Sequence, residues 1–152
     1  MAKKAEQLVY EAMKRHAPDR LRLERVENGL AAGIPDVHAL LEGKTIWFEL
    51  KVLQVPKMPS TPIVKTDTFE VDQVKWHRSY SHHGGISFAI ARDNQMQLYL
   101  IPGRDIPPNL QLTPSANAPR TRLQAYTHVV LKRLYGVPDW QYLFMKAFGF
   151  KE

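Results

Sequence analysis

Hydrophobic and polar positions alternate along this chain with two different periods, and each change of period marks a change of element. Over residues 3–16, Ala5, Leu8, Val9, Ala12 and Met13 recur at the three- and four-residue spacing that lays apolar side chains along one helix stripe. Pro18 ends that helix, since proline lacks a backbone donor and crowds the preceding turn. Residues 21–26 (LRLERV) switch to strict alternation, the period of a half-buried strand. Asn28-Gly29 and Ala32-Gly33 then supply a flexible connector. Residues 36–42 and 45–52 predict two further strands folded about Gly43-Lys44, a pair suited to a two-residue type II′ turn. The stretch 53–69 holds three prolines and no period, and predicts a loop or flap. Residues 70–82 predict a second helix, with Val71, Val74 and His77 or Arg78 along one side, broken by Gly84-Gly85. Strands follow at 86–91 and 96–101, with a turn at Asp93-Asn94. After a second Pro-rich stretch, 102–119, helices are predicted at 121–135 and 139–148, separated by Gly136-Val137-Pro138.

The order is helix, three strands, helix, one or two strands, then a helical addition. That is an α/β domain built on a mixed sheet. A length of 152 residues suits one domain, with a core over about 3–101 and an extension over about 102–152.

Composition narrows the picture without naming a chemistry. Hydrophobic residues at 44% and charged residues at 24% exclude disordered and fibrous classes. No run approaches the ~18 apolar residues of a membrane helix, and the N-terminus reads as amphipathic helix, not signal peptide. No membrane partner and a cytoplasmic location are therefore expected. The absence of cysteine excludes disulfides, thiolate zinc sites and cysteine nucleophiles. A net charge of +6 and a pI near 9.6 favour a polyanionic partner.

The chemistry concentrates in Gly33-Ile-Pro-Asp36 and Thr45-Ile-Trp-Phe-Glu49-Leu-Lys51-Val. On a strand, Ile46, Phe48, Leu50 and Val52 point one way as a core row, while Thr45, Trp47, Glu49 and Lys51 point the other. Two charges beside each other on a hydrophobic strand need partners or a metal. With Gly43-Lys44 as the turn, Glu42 pairs with Thr45, Asp36 faces Lys51 and His38 faces Glu49. Asp36 and Glu49 then become diagonal neighbours on one face, about 7 Å apart or less. Two carboxylates on adjacent strands suit Mg²⁺ or Mn²⁺, which keep several waters for a phosphate ligand. Lys51 can orient an attacking water and offset charge developing on a phosphate. The same residues also fit an exposed hairpin whose Glu49 and Lys51 pair in solvent.

Pro35-Asp36 and Glu49-Leu50-Lys51 resemble the PD-(D/E)xK nuclease superfamily. Within it, Gly33-Ile-Pro-Asp36 and the later Gln73 look most like VRR-NUC domains and archaeal-type Holliday junction resolvases. The resemblance covers about residues 3–101 and implies a restriction-endonuclease-like αβββαβ core. It implies a metal-dependent DNA endonuclease acting on branched or structured DNA, in recombination or repair. It further implies metal ligation by Asp36, Glu49 and the Leu50 main-chain carbonyl, with Lys51 assisting water and Gln73 beside the site. Many members add a carboxylate from the first helix. Here Glu6 lies roughly 90° from the centre of the apolar stripe and Glu11 about 130°, and Ala5-Glu6 resembles the family's helix motif, so Glu6 is favoured. Resolvase relatives work as dimers, which makes a homodimer an option, and the compact size suits a stand-alone phage or bacterial enzyme.

Lys57, Lys65 and Lys75 are candidate phosphate contacts, as are Arg120, Arg122, Lys132 and Arg133. His38 shares the carboxylate face and could touch metal or phosphate. His82-His83-Gly84-Gly85 reads as a helix end. Gly33 either turns the chain or allows close approach of DNA. Trp76 and Trp140 could stack on bases, although core packing explains most of the chain's aromatics better. The alternative to an enzyme is a non-catalytic nucleic-acid-binding module on the same scaffold.

Overall fold

The computed structural model describes residues 2–26, 32–54, 57, 68–94, 96–106, 129–130, 133–134 and 137–149. Helix α1 (Ala2–His16) precedes strands β1 (Arg22–Arg25), β2 (Val37–Leu41) and β3 (Lys44–Leu53). Helix α2 (Val71–His82) crosses to β4 (Ser87–Asp93), and β5 (Leu98–Pro102) returns antiparallel. A 3₁₀ turn (Gly103–Asp105), β6 (Val129–Val130), β7 (Arg133–Leu134), β8 (Val137–Pro138) and helix α3 (Trp140–Phe148) complete the described chain. The αβββαβ order expected from the motifs is present.

One sheet of order β1-β2-β3-β4-β5-β6 carries the domain, and a separate β7-β8 pair lies beside it. Every ladder in the large sheet is antiparallel except β3–β4, the pair joined through α2. This is a mixed-sheet α+β fold. Helices cover both faces. Val9 and Met13 of α1 and Leu143, Phe144 and Phe148 of α3 bury against Ile46, Phe48, Leu50, Ile90 and Leu100. On the other face Val74 of α2 packs with Phe69, Ala89, Ala91, Tyr99, Ile101 and Ile106. The small side chains of Ala89 and Ala91 leave room there for helix α2 and for the polar residues of β3.

Two expectations need correction. First, the β2–β3 ladder closes at Leu41↔Lys44, so the turn residues are Glu42 and Gly43, not Gly43 and Lys44. Both have positive φ, 51° and 83°, the type I′ conformation whose twist matches paired strands. The register therefore moves two residues from the expected one. Asp36 comes directly across from Glu49, one step beyond Val37↔Phe48, and His38 comes across from Trp47. A two-residue shift conserves the facing of every side chain, so the carboxylates still share a face.

Second, the expected helix over 121–135 is replaced, where the chain is described, by strand. Val130 and Val129 pair with Tyr99 and Leu100 at the sheet edge, and Arg133–Leu134 pair with Val137–Pro138. Paired valines prefer the pleated surface, and the sheet edge offers them hydrogen-bond partners that overrule a helical spacing. The rest of 121–135 lies outside the described residues. Helix α3 shares the core with α1, Asp139 caps its start by accepting from Tyr142 N at 3.1 Å, and Lys44 Nζ donates to Phe148 O at 2.8 Å at its end.

Helix α1 buries a stripe through Val9, Tyr10, Ala12 and Met13 and leaves Leu8 half exposed, a rotation of one position from the expected stripe. Among the described residues no helix is long and apolar enough to cross a membrane.

Candidate metal and phosphate site

Glu49 is 2% exposed, an unusual place for a carboxylate. It sits in the middle of β3 because the alternation that buries Phe48 and Leu50 on one face turns Glu49 toward α2 on the other. Gln73 meets it there: Nε2 donates to Glu49 Oε1 at 2.8 Å, while Gln73 Oε1 accepts from Glu70 N at 3.0 Å. The two bonds fix the amide's orientation, since only the nitrogen can donate to the carboxylate. Lys51 Nζ approaches the same Oε1 at 3.7 Å and lies over the Phe69 ring at 5.6 Å. Glu49 Oε2 is buried with no hydrogen-bond partner.

Asp36 lies where β2 begins, and its side chain prolongs the ladder by one rung. Oδ2 accepts from Leu50 N at 2.8 Å. Because the N–H and C=O of a strand residue face the same edge, the Leu50 carbonyl faces the Asp36 side as well. Burial, then the charge of Asp36, push the Glu49 carboxyl well above the usual carboxylate range. Lys51 opposes that rise, and the Asp36 side chain reinforces it as the acceptor within reach of a protonated Glu49. Half-buried Glu6 on α1 is also raised, first by burial and then by Asp36, with Lys51 and Arg25 pulling the other way.

Of the sequence-derived site residues, the structure joins Gln73 and Lys51 to Glu49 and the Leu50 amide to Asp36, while Glu6 on α1 feels the charges of Asp36 and Lys51. Glu11, the other helix carboxylate, is exposed and receives a hydrogen bond from Gln7. Lys75 is exposed on α2 beside Trp76, and Lys57 is exposed after β3. Lys65, Gly29, Arg120, Arg122 and Lys132 lie outside the described residues, and Arg133 belongs to β7. His38 leaves the carboxylates and packs on Trp47, with ring centroids 4.8 Å apart. His83 caps α2, its backbone N–H donating to Ser79 O, as the helix-end reading required. Gly33 answers to the fold. With φ at 84°, a Cβ there would stand 2.3 Å from Asp72 O, so glycine lets this loop touch the first turn of α2.

Arg25 and His77 are neighbours of the site to which the sequence reading gave no role there. Arg25 lies over the Tyr10 ring at 5.6 Å and near Glu6. His77 is fully buried, with Nδ1 2.7 Å from Ser87 Oγ and Nε2 unpartnered. Burial and the nearby Lys51 charge lower its pKa to about 4. The apolar helix spacing at 71, 74 and 77 was the available signal for His77. Nothing in the strand pattern marked Arg25.

The donor set fits a divalent cation. A buried, unpartnered carboxylate oxygen stands beside two further carboxylates, with one ammonium to balance them. Among the described residues no group of three or more His, Asp or Glu side chains is arranged to hold an ion. A cation here would take few side-chain ligands, which suits Mg²⁺ better than Zn²⁺.

No family model matches the chain, and no curated protein matches it. Among solved structures it is similar to that of Archaeoglobus fulgidus Hjc, a Holliday junction resolvase from an archaeal hyperthermophile. The TM-score is 0.43 and the identity 15%, over 68% of this chain and 77% of that one.

Proposed function

We propose that this chain is a metal-dependent nuclease that hydrolyses phosphodiester bonds in DNA, on branched or otherwise structured substrates. One observation carries the reading: Glu49, buried with an unpartnered Oε2, faces Asp36 across two strands while Lys51 stands on the same face. Asp36, Glu49 and the Leu50 carbonyl would hold Mg²⁺ or Mn²⁺, with Glu6 close by. When bound, such an ion supplies positive charge that polarises the phosphate and acidifies a water. The chain's own residues do the rest. Gln73 holds Glu49 in place through Oε1, leaving Oε2 to face a ligand. The Leu50 amide fixes Asp36. Lys51 offsets negative charge at the phosphate and can orient the attacking water. The net charge of +6 draws a polyanion toward the site.

The test is cleavage of branched, flapped, nicked and linear DNA with Mg²⁺, Mn²⁺ or EDTA. Metal-dependent cutting that disappears in Asp36→Asn and Glu49→Gln is expected. Cutting that survives EDTA or either substitution sinks the reading. A second reading is a non-catalytic nucleic-acid-binding module, since among the described residues no group of three or more His, Asp or Glu side chains is arranged to hold an ion. That module binds DNA in a salt-sensitive way and is indifferent to divalent metal and to loss of Lys51.

A further inference from the structure

A chain of aromatic rings runs from the carboxylates along helix α2. His38 packs on Trp47, Trp47 meets Trp76 edge-on at 5.8 Å, and Trp76 stacks on Tyr80 at 4.7 Å with an interplanar angle of 18°. Trp47 is two residues before Glu49 on the same strand face, about 7 Å away. Trp76 is three residues beyond Gln73, about 4.5 Å along the helix axis, and Tyr80 follows one turn later. These rings are only partly covered, whereas Trp140, against Phe144, is buried in the core. Trp76 and Tyr80 line an open cleft of about 410 Å³ together with Asp72, Lys75, Ser79 and His83.

The chemistry of the cleft selects among occupants. Asp72 repels a phosphate from the interior but can accept a hydrogen bond from an exocyclic amine. Lys75 supplies a donor for a backbone phosphate alongside. Flat rings with an apolar face and one carboxylate suit a nucleobase, and a base inside a duplex has both faces covered by its stacked neighbours. We propose that the Trp76–Tyr80 surface receives an unpaired nucleobase of the strand whose backbone enters the carboxylate site. The substrate is thereby a nucleic acid with unpaired bases beside the reacting phosphate. This inference rests on the nuclease reading and supplies its specificity-determining surface.

The test is binding in EDTA, followed by anisotropy, with three labelled probes of equal length. These are a single-stranded DNA, the same strand with abasic sugars, and a duplex. Wild-type protein is expected to prefer the base-bearing single strand over the abasic one. Trp76→Leu is expected to weaken binding of the base-bearing strand about 5- to 100-fold, leaving the other two probes unchanged. Tyr80→Leu should act the same way and serves if Trp76→Leu does not fold. Equal affinity of wild type for the abasic strand, or uniform weakening of all three probes by the folded variants, overturns the proposal. Because no metal is present, the result is independent of cleavage. Intact Mg²⁺-dependent cutting without base preference defeats the stacking surface alone, and base preference without any cutting defeats the nuclease reading alone.

Discussion

The side-chain amide of Gln73 donates to Glu49 Oε1 over 2.8 Å, tying the first turn of helix α2 to a carboxylate buried inside the sheet. The bond partners one oxygen and leaves Oε2 without one. A buried carboxylate in that state opposes folding unless a cation or a proton joins it. Helix and strand thus hold a group in an environment that it would not choose by itself.

That cost has a sign that can be measured. The folded-state pKa of Glu49 is raised, so its favourable contribution is complete below its unfolded value and lost as pH rises through the folded one. At pH 7.5, above the unfolded value, Glu49 without metal therefore destabilises the fold. Glu49→Gln keeps the shape and an acceptor for Gln73 while removing the charge. It is expected to melt at a higher temperature than wild type in EDTA and to lose the rise in melting temperature that Mg²⁺ gives wild type. A lower melting temperature in EDTA would show that Glu49 stabilises the fold and is no strained ligand.

His77 titrates in the opposite sense. Its pKa falls from 6.5 to about 4 on folding, so the unfolded chain binds the proton first. Its contribution is fully present above about pH 6.5 and is lost as pH falls toward 4, to a total on the order of 3 kcal/mol. His77→Gln retains a polar group for Ser87 but cannot take up the proton. The difference in unfolding free energy, wild type minus variant, should shrink steadily between pH 7 and pH 5 in urea titrations. Using a difference cancels the carboxylates, whose contributions run the other way over part of that range. A difference independent of pH contradicts a neutral buried imidazole.

Much of this arrangement could be read from the chain. The period-2 run through Glu49 and Lys51 and the Pro35-Asp36 start placed both carboxylates on one face, and the later register change of two residues could not alter that parity. What failed was the turn itself. Glycine at 43 signals a hairpin, but Glu42 shares the left-handed conformation, which few non-glycine residues adopt and no local pattern announces. The β6 strand was missed for a different reason. Val129 and Val130 acquire their state from the exposed edge of β5, a neighbour about 30 residues away that single-chain periodicity does not see. His38 moved for want of the same information: its partner is decided by register.

The close approach of Gly33 to α2 links loop geometry to the site. An added Cβ would overlap Asp72 O at 2.3 Å and would have to adopt φ 84°. Gly33→Ala is expected to cost about 2–4 kcal/mol by chemical denaturation. Relief must come from moving the first turn of α2, which carries Gln73, or the loop that leads into Asp36. Metal-dependent cleavage should therefore fall further than the folded fraction explains, measured well below the melting temperature. A variant with wild-type stability would mean that the loop and helix separate freely.

Lys51 separates metal binding from chemistry. Its ammonium lies 3.7 Å from Glu49 Oε1 and lowers the pKa of both Glu49 and Glu6, so it offsets part of the carboxylates' repulsion. Lys51→Met preserves the stem over Phe69 and deletes the charge. Without metal the variant is expected to be less stable than wild type at pH 7.5, because the acidic cluster has lost its counter-charge. The melting-temperature rise on adding Mg²⁺ should then exceed that of wild type, since the ion meets a more negative site. Cleavage should nevertheless fall by about 10²- to 10³-fold, the scale for losing one group that meets charge developing at the reacting phosphate. A stronger response to metal combined with weaker cutting identifies Lys51 as a group that acts on the phosphate or its water. Parallel loss of both would instead make it a structural counter-ion for Glu49.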